Sequence, residues 1–239
     1  MTDPLPILLL TRPHRQAEVF AQSVVEELGD RFDIVVSPLL RIEGLPGSVD
    51  LDPDDTLIFS SVNGVEAYRP MHDGRSRKVF CVGERTAQTA RSLRLSPIEW
   101  APDAGSLLDL IEAKKPAGRF KHLHGEHTRG DIAPTLAALG YAVSEAVIYR
   151  QIAQPLTAEA REALSGARPV FIPVFSPRTA ELLAPYLVKA AAPLTLIALS
   201  SAVSERLPGS ATVAATPNAA AMVHAIATCT TLEGKGLPS

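Results

Sequence analysis

Short apolar runs of strand length alternate along this chain with amphipathic stretches of helix length, a pattern that predicts βα units around a parallel sheet. Ile7 to Leu10 reads as a buried strand ended by Thr11-Arg12-Pro13. A helix follows from about His14 to Leu28, with Ala17, Phe20, Ala21, Val24 and Leu28 on one stripe, and Gly29 stops it. Phe32 to Val36 is a second strand, punctuated by Pro38. Further strands are predicted at Leu57 to Phe59, Val79 to Val82 and Arg119 to Leu123, with a long one over Val143 to Gln151. Helices are predicted after Ser60-Ser61, after Gly83, at Ala104 to Ala113 and from about Ile132 to Leu139. Beyond them come a helix at Thr157 to Leu164 capped by Thr157, a strand at Val170 to Phe175 and a helix to Leu187. A strand at Leu194 to Leu199, a helix to Leu207, a strand at Ala211 to Ala215 and a helix at Ala219 to Ala227 complete the pattern. The tail from Thr228 is expected to fray.

Three blocks recur in order. Leu57-Ile-Phe-Ser-Ser61 is echoed by Pro173-Val-Phe-Ser-Pro177, and Val79-Phe-Cys-Val-Gly83 by Leu196-Ile-Ala-Leu-Ser200. Pro102 to Ile111 is echoed by Pro217 to Ile226. The offsets are 116 residues from Phe59 to Phe175, 117 from Gly83 to Ser200 and 115 from Pro102 to Pro217. A nearly constant offset points to two related sub-units. Open parallel sheets present ligands with the loops at their strand C-terminal ends, so two such sheets facing each other are expected to line a cleft.

Composition narrows the class. A chain of 239 residues, 46% hydrophobic and 21% charged, suits a globular protein of one large or two smaller α/β domains. A formal net charge of −3 gives no case for nucleic-acid binding. The dense basic stretch Arg69 to Lys78 reads as a solvated loop before a strand. Two cysteines, Cys81 and Cys229, are too few for a disulfide framework. The N-terminal apolar run lacks a basic n-region, and no segment approaches the ~20 apolar residues needed to cross a bilayer. The expected setting is cytoplasmic, with no membrane partner.

The echoed blocks place small hydroxylated residues where strand becomes helix: Ser60, Ser61, Thr86, Ser176, Ser200 and Ser201. Helix starts offer unpaired amides and a positive dipole end, so they bind anions. Ser and Thr also cap helices with no ligand involved, and both readings stand for this set. Arg12 suits a carboxylate bidentately or a solvated loop. Gly125 permits close backbone approach, and Arg129 either faces the ligand or pairs locally with Asp131. His122, His124 and His127 suggest a metal, but no carboxylate or thiolate with ligand spacing accompanies them, and no metal is expected. Walker loop, dinucleotide glycine fingerprint, nucleophile elbow and Cys–His pairing are all missing, so no nucleotide cofactor is expected. Taken on its residues alone, Tyr149 is a tyrosine on a half-buried strand.

Thr11-Arg-Pro13, Ile58-Phe-Ser-Ser61 with Gly64-Val65, Val79 to Gly83 with Thr86-Ala87, Val147-Ile-Tyr149 with Gln151, and Phe175-Ser-Pro177 together resemble the uroporphyrinogen-III synthase family. The resemblance spans Leu8 to about Ile226. It implies two related parallel-sheet α/β domains, flavodoxin-like, joined by a two-stranded antiparallel linker. One is discontinuous (1–38 plus 153–239) and the other is an insert (42–150), with linker strands at about 36–43 and 146–153. The implied reaction cyclises hydroxymethylbilane, with loss of water and inversion of ring D, to uroporphyrinogen III without any cofactor. The resemblance makes Tyr149 the candidate acid, and Arg12, Ser60, Ser61, Gly83, Thr86, Gly125, Arg129, Ser176, Ser200 and Ser201 substrate contacts. The chain departs from the family at Val203, where a hydroxyl is often found. A monomer is the expected state. The competing readings are a non-catalytic two-domain binding protein for an anionic small molecule and a sugar-nucleotide transferase.

Overall fold

The uninterrupted apolar runs become strands covered on both faces, where alternation of polar and apolar residues would bury charge. In the computed structural model, which describes residues 4–47, 49–96, 98–127 and 130–233, the chain opens with β1 (Ile7–Leu10), α1 (His14–Leu28) and β2 (Asp33–Val36). β3 (Leu40–Gly44) leads to β4 (Thr56–Phe59), α2 (Val62–Tyr68), β5 (Val79–Val82), α3 (Glu84–Arg91) and β6 (Ile98–Ala101). Next come α4 (Ala104–Lys114), β7 (Phe120–Gly125), α5 (Ile132–Ala138) and β8 (Val143–Ala153). The chain then forms α6 (Ala158–Ser165), β9 (Val170–Val174), α7 (Pro177–Leu187), β10 (Leu194–Ala198), α8 (Ser201–Ser204), β11 (Thr212–Val213) and α9 (Ala219–Glu233). Contacts divide it into two compact units, Met1–Arg41 with Ala153–Ser239, and Ile42–Ile152.

The discontinuous unit holds a five-stranded sheet in the order β11-β10-β9-β1-β2, parallel throughout. Period-two alternation in β1 sends Ile7 and Leu9 into one apolar cluster and Leu8 and Leu10 into another, so the sheet has a core on each face. Counted in chain order within the unit, the strands run 2-1-3-4-5, the flavodoxin-like arrangement, with its switch point between β1 and β9.

The inserted unit holds a six-stranded sheet, β3-β8-β7-β4-β5-β6. Leu57 and Phe59 of β4 enter one core and Ile58 the other. The echoed blocks occupy equivalent places: β4 and β9 carry the first, β5 and β10 the second, α4 and α9 the third. Set side by side, β6-β5-β4-β7-β8 matches β11-β10-β9-β1-β2 strand for strand. The duplication is therefore permuted. The two strands that end the repeat in the inserted unit, β7 and β8, have their counterparts β1 and β2 at the beginning of the chain.

Three sequence expectations are corrected. β6 (Ile98–Ala101) was not predicted, because an edge strand with Trp100 40% exposed and Glu99 half-buried carries no apolar run. α9 continues past Ala227 to Glu233, since buried Cys229 packs onto the core and Thr230 returns a hydrogen bond to the Ile226 carbonyl at 2.8 Å. Arg77 is not solvated: it is 4% exposed, and its guanidinium forks onto the Asp73 carboxylate at 2.7 and 2.9 Å. No helix among the described residues is long and apolar enough to cross a membrane.

Candidate active site

In the inserted unit the switch point falls between β4 and β7, and Ser60, Ser61 and Gly125 lie at those strand ends. β4 runs directly into Ser60 and Ser61, with Ser61 as the N-cap of α2, its Oγ accepting the Gly64 N–H at 3.2 Å. The same Oγ lies 2.9 Å from Oη of Tyr149. Tyr149 is 4% exposed, and burial raises its phenol pKa, the Ser61 hydrogen bond offsetting part of the rise. The phenol is therefore protonated at neutral pH.

A bulge aims that phenol. β7 and β8 pair in steady register up to His124↔Val147 and then skip a residue, so that Gly125 faces Tyr149. Unbroken alternation along β8 would keep Tyr149 on the face of Val143 and Glu145. The extra residue turns it over, into the cluster holding Phe59, Val65 and Leu123. Gly125 completes the fit, because a β-carbon there would overlap the ring.

Adjacent Ser60 points to the other face. Its Oγ lies 3.2 Å from Nε2 of His122, which is 1% exposed. Burial, and after it the neighbouring His124, holds His122 well below the ordinary imidazole range. His122 Nδ1 lies 3.4 Å and His124 Nε2 3.5 Å from the Glu145 carboxylate. The expectation that no carboxylate converges on the histidines is thus corrected. Glu145 belongs to another strand and stands beside His122 only through the β7–β8 register, a pairing that spacing along the chain does not reveal.

Elsewhere in this unit, Gly83 begins α3 at φ +85°, a conformation that favours glycine, and its N–H bonds the Ala101 carbonyl at 2.7 Å. Thr86 is 4% exposed, so its hydroxyl is packed inward and not offered to solvent. Arg129 lies outside the described residues.

In the discontinuous unit the switch point falls at the ends of β1 and β9. Arg12, just past β1, stacks its guanidinium 3.8 Å from the centroid of Phe175 and donates to Gln16 at 3.3 Å. Ser176 caps α7: its Oγ accepts the Thr179 N–H at 3.1 Å and lies 2.8 Å from the Thr179 hydroxyl. Ser200 occupies the N-cap position of α8 without a side-chain capping bond, and Ser201 is exposed. Val203, the counterpart of Thr86, is 1% exposed and belongs to the core. In both units this position faces inward, which explains why a hydrocarbon side chain serves there.

Two open α/β units, with glycine and hydroxyl side chains at several of their strand ends, define a doubly wound α/β protein. Residues 20–224 match the family described as Uroporphyrinogen-III synthase HemD, and the chain belongs to the uroporphyrinogen-III synthase family. It is an enzyme of heme biosynthesis, a cyclising lyase, which removes the binding-protein and sugar-nucleotide readings. No curated protein sequence matches the chain. In fold it is similar to uroporphyrinogen-III synthetase from Helicobacter pylori 26695, with a TM-score of 0.64, 16% identity, and 95% of this chain and 100% of that one covered. It is also similar to a mutant uroporphyrinogen III synthase from the extremely thermophilic bacterium Thermus thermophilus, with a TM-score of 0.51, 16% identity, and 95% and 99% covered.

Proposed function

We propose that this chain closes hydroxymethylbilane with inversion of ring D, and that Tyr149 assists loss of the ring A hydroxyl through Ser61. The observation that carries the reading is the 2.9 Å contact between Tyr149 Oη and a Ser61 Oγ that already accepts the Gly64 N–H. A serine hydroxyl has two lone pairs and one proton. With Gly64 on one lone pair and the Tyr149 proton on the other, the serine's own proton points away from both. That proton goes to the departing hydroxyl, which leaves as water, and Tyr149 resupplies Ser61. Departure generates an electrophilic methylene-pyrrolenine. Attack by the substituted carbon of ring D gives a spiro intermediate that rearranges and closes. Loss of a proton from the closing ring restores the phenol, so the cycle balances.

Inversion of ring D depends on holding the linear tetrapyrrole in a reactive fold, a task of positioning more than of acid strength. The substrate is rich in carboxylates while the chain carries a net charge of −3, so its binding calls for local donors. Arg12, the amides at the starts of α3 and α7, and the hydroxyls of Ser60, Ser200 and Ser201 fill that role in this reading. Gly83 and Gly125 act through the backbone, and Ser176 through the helix it caps. We read residues 1–38 with 153–239, and 42–150, as the functional domains, and the protein as a cytoplasmic monomer. Its buried free thiols, Cys81 and Cys229, suit a reducing compartment.

The test couples the purified protein to a source of hydroxymethylbilane and resolves the oxidised products by isomer. Isomer III from the wild type, with turnover slowed in Tyr149→Phe at unchanged thermal stability, is the expected outcome. Isomer I alone at every protein concentration removes the reaction, and unchanged turnover in Tyr149→Phe removes the tyrosine from it.

A further inference from the structure

On the face of the second sheet opposite Tyr149, His122 and His124 stand two residues apart on β7, and Glu145 lies directly across from His122 on β8. Hydrogen bonding decides which nitrogen of His124 is bare. His124 Nδ1 is 2.8 Å from the Gly125 carbonyl oxygen. A carbonyl only accepts, so Nδ1 carries the proton and, in the neutral ring, Nε2 carries a lone pair. His122 Nε2 faces the Ser60 hydroxyl at 3.2 Å, a group that both donates and accepts, and Nδ1 is the nitrogen turned toward Glu145.

Both inward nitrogens, His122 Nδ1 and His124 Nε2, are buried and have no hydrogen-bond partner. The His122 side chain is 1% exposed and that of His124 11%. They converge instead on one carboxylate oxygen, Glu145 Oε1, at 3.4 and 3.5 Å. A bare His124 Nε2 facing a carboxylate at 3.5 Å is repelled unless a positive charge lies between them.

We propose that His122 Nδ1, His124 Nε2 and the Glu145 carboxylate form a binding site for a divalent transition-metal cation of the Zn2+ type. Three observations support it. The ligand atoms lie within 4.8 Å of one another. Tetrahedral zinc with bonds of about 2.0–2.2 Å separates its ligands by roughly 3.4 Å, close to both nitrogen–oxygen distances here. The outer nitrogens are already held by the Gly125 carbonyl and the Ser60 hydroxyl, the kind of support that orients metal-bound histidines. Two imidazoles and one carboxylate favour zinc over magnesium or calcium, which take oxygen ligands. Glu145 has its side chain 45% exposed, so an ion can enter past it and keep water on its open side. Bound there, the ion clips β7 to β8 and, through His122, holds Ser60 in place. The site stands apart from the Tyr149–Ser61 pair and does not depend on the role proposed for it.

The test uses the full chain purified without a histidine tag and stripped with a chelator. Zn2+ is then titrated in competition with a chromophoric chelator, Co2+ is followed by its visible d–d absorption, and thermal melts are recorded with and without Zn2+. One equivalent of Zn2+ bound, a Co2+ spectrum of low-coordinate type and a raised melting temperature are expected. Glu145→Gln, altered at the partly exposed ligand, and His124→Gln should each weaken Zn2+ binding at least tenfold while melting like the wild-type apoprotein. If the wild type fails to take Zn2+ from the chelator, or both variants bind it as tightly as the wild type, the site does not exist.

Discussion

Gly125 and Tyr149 face each other across the bulge of β7 and β8, and a β-carbon on Gly125 would fall 2.6 Å from both Cε2 and Cζ of the tyrosine ring and 3.0 Å from its hydroxyl. Glycine at this position is a packing requirement of the phenol. Gly125→Ala forces the ring off its place beside Ser61, or the strand away from the ring. Overpacking of this kind costs roughly 1–3 kcal/mol, visible as a lowered melting temperature. The loss of kcat should match that of Tyr149→Phe, because either change breaks the contact to Ser61. A Gly125→Ala protein that melts early but keeps wild-type kcat would show that the ring position does not govern turnover.

Ser61 and Ser176 separate capping from catalysis. Both are N-caps whose Oγ accepts the N–H three residues on, so either Ser→Ala change should cost about 1 kcal/mol of stability. Only Ser61 also contacts Tyr149. Ser61→Ala should therefore lower kcat as far as Tyr149→Phe does, and the double variant should lose little more, since both changes remove one hydrogen-bonded pair. Ser176→Ala should keep most of its kcat. Equal kcat losses in the two serine variants would assign both residues to helix capping alone.

The fold was legible because central parallel strands must be apolar on both faces. Runs such as Ile7 to Leu10 and Val79 to Val82 therefore mark themselves, as do the caps Thr157 and Ser176. Edge strand β6 was not, because its residues are half solvated. In the candidate site, Ser60 and Ser61 stood out by recurrence, yet recurrence does not say that one faces His122 and the other Tyr149. Their division follows from strand alternation combined with a bulge in the partner strand, and a bulge leaves no mark in the pattern of β8 itself. Glu145 was missed for a related reason: its partners are two strand residues brought alongside by register, more than twenty positions away along the chain. Arg77 looked solvated because its charge was read without Asp73, four residues before it in the same loop.

Cys81 provides a test of burial alone. It is fully buried, and burial pushes its thiol pKa up to about 12. Thiolate is the reactive form, so the native protein should leave Cys81 unmodified by thiol reagents at neutral pH. Peptide mapping after alkylation should find it labelled only once denaturant is added. Rapid native labelling would contradict the packing of β5 in its core.

Asp73 and Arg77 predict an acid-sensitive element. The Arg77 fork holds the Asp73 carboxyl well below the ordinary aspartate value of 3.8. As pH falls, the unfolded chain therefore takes up this proton before the folded one does. The pair contributes fully above the unfolded pKa, and its contribution is lost as pH drops below about 4 toward the depressed folded value. Arg77 has its side chain 2% exposed while Asp73 remains 42% exposed. Removing the carboxylate leaves a buried guanidinium short of its partner, at a cost of about 2 kcal/mol, less than the ~3–5 kcal/mol of a fully buried pair. Asp73→Asn should accordingly melt below the wild type at pH 7, and the gap should shrink as the pH is lowered from 5 toward 3, because the wild type alone loses this pair. Thermal melts of both proteins across that range provide the measurement. A gap that stays constant with pH would mean that Asp73 holds Arg77 by shape and not by charge.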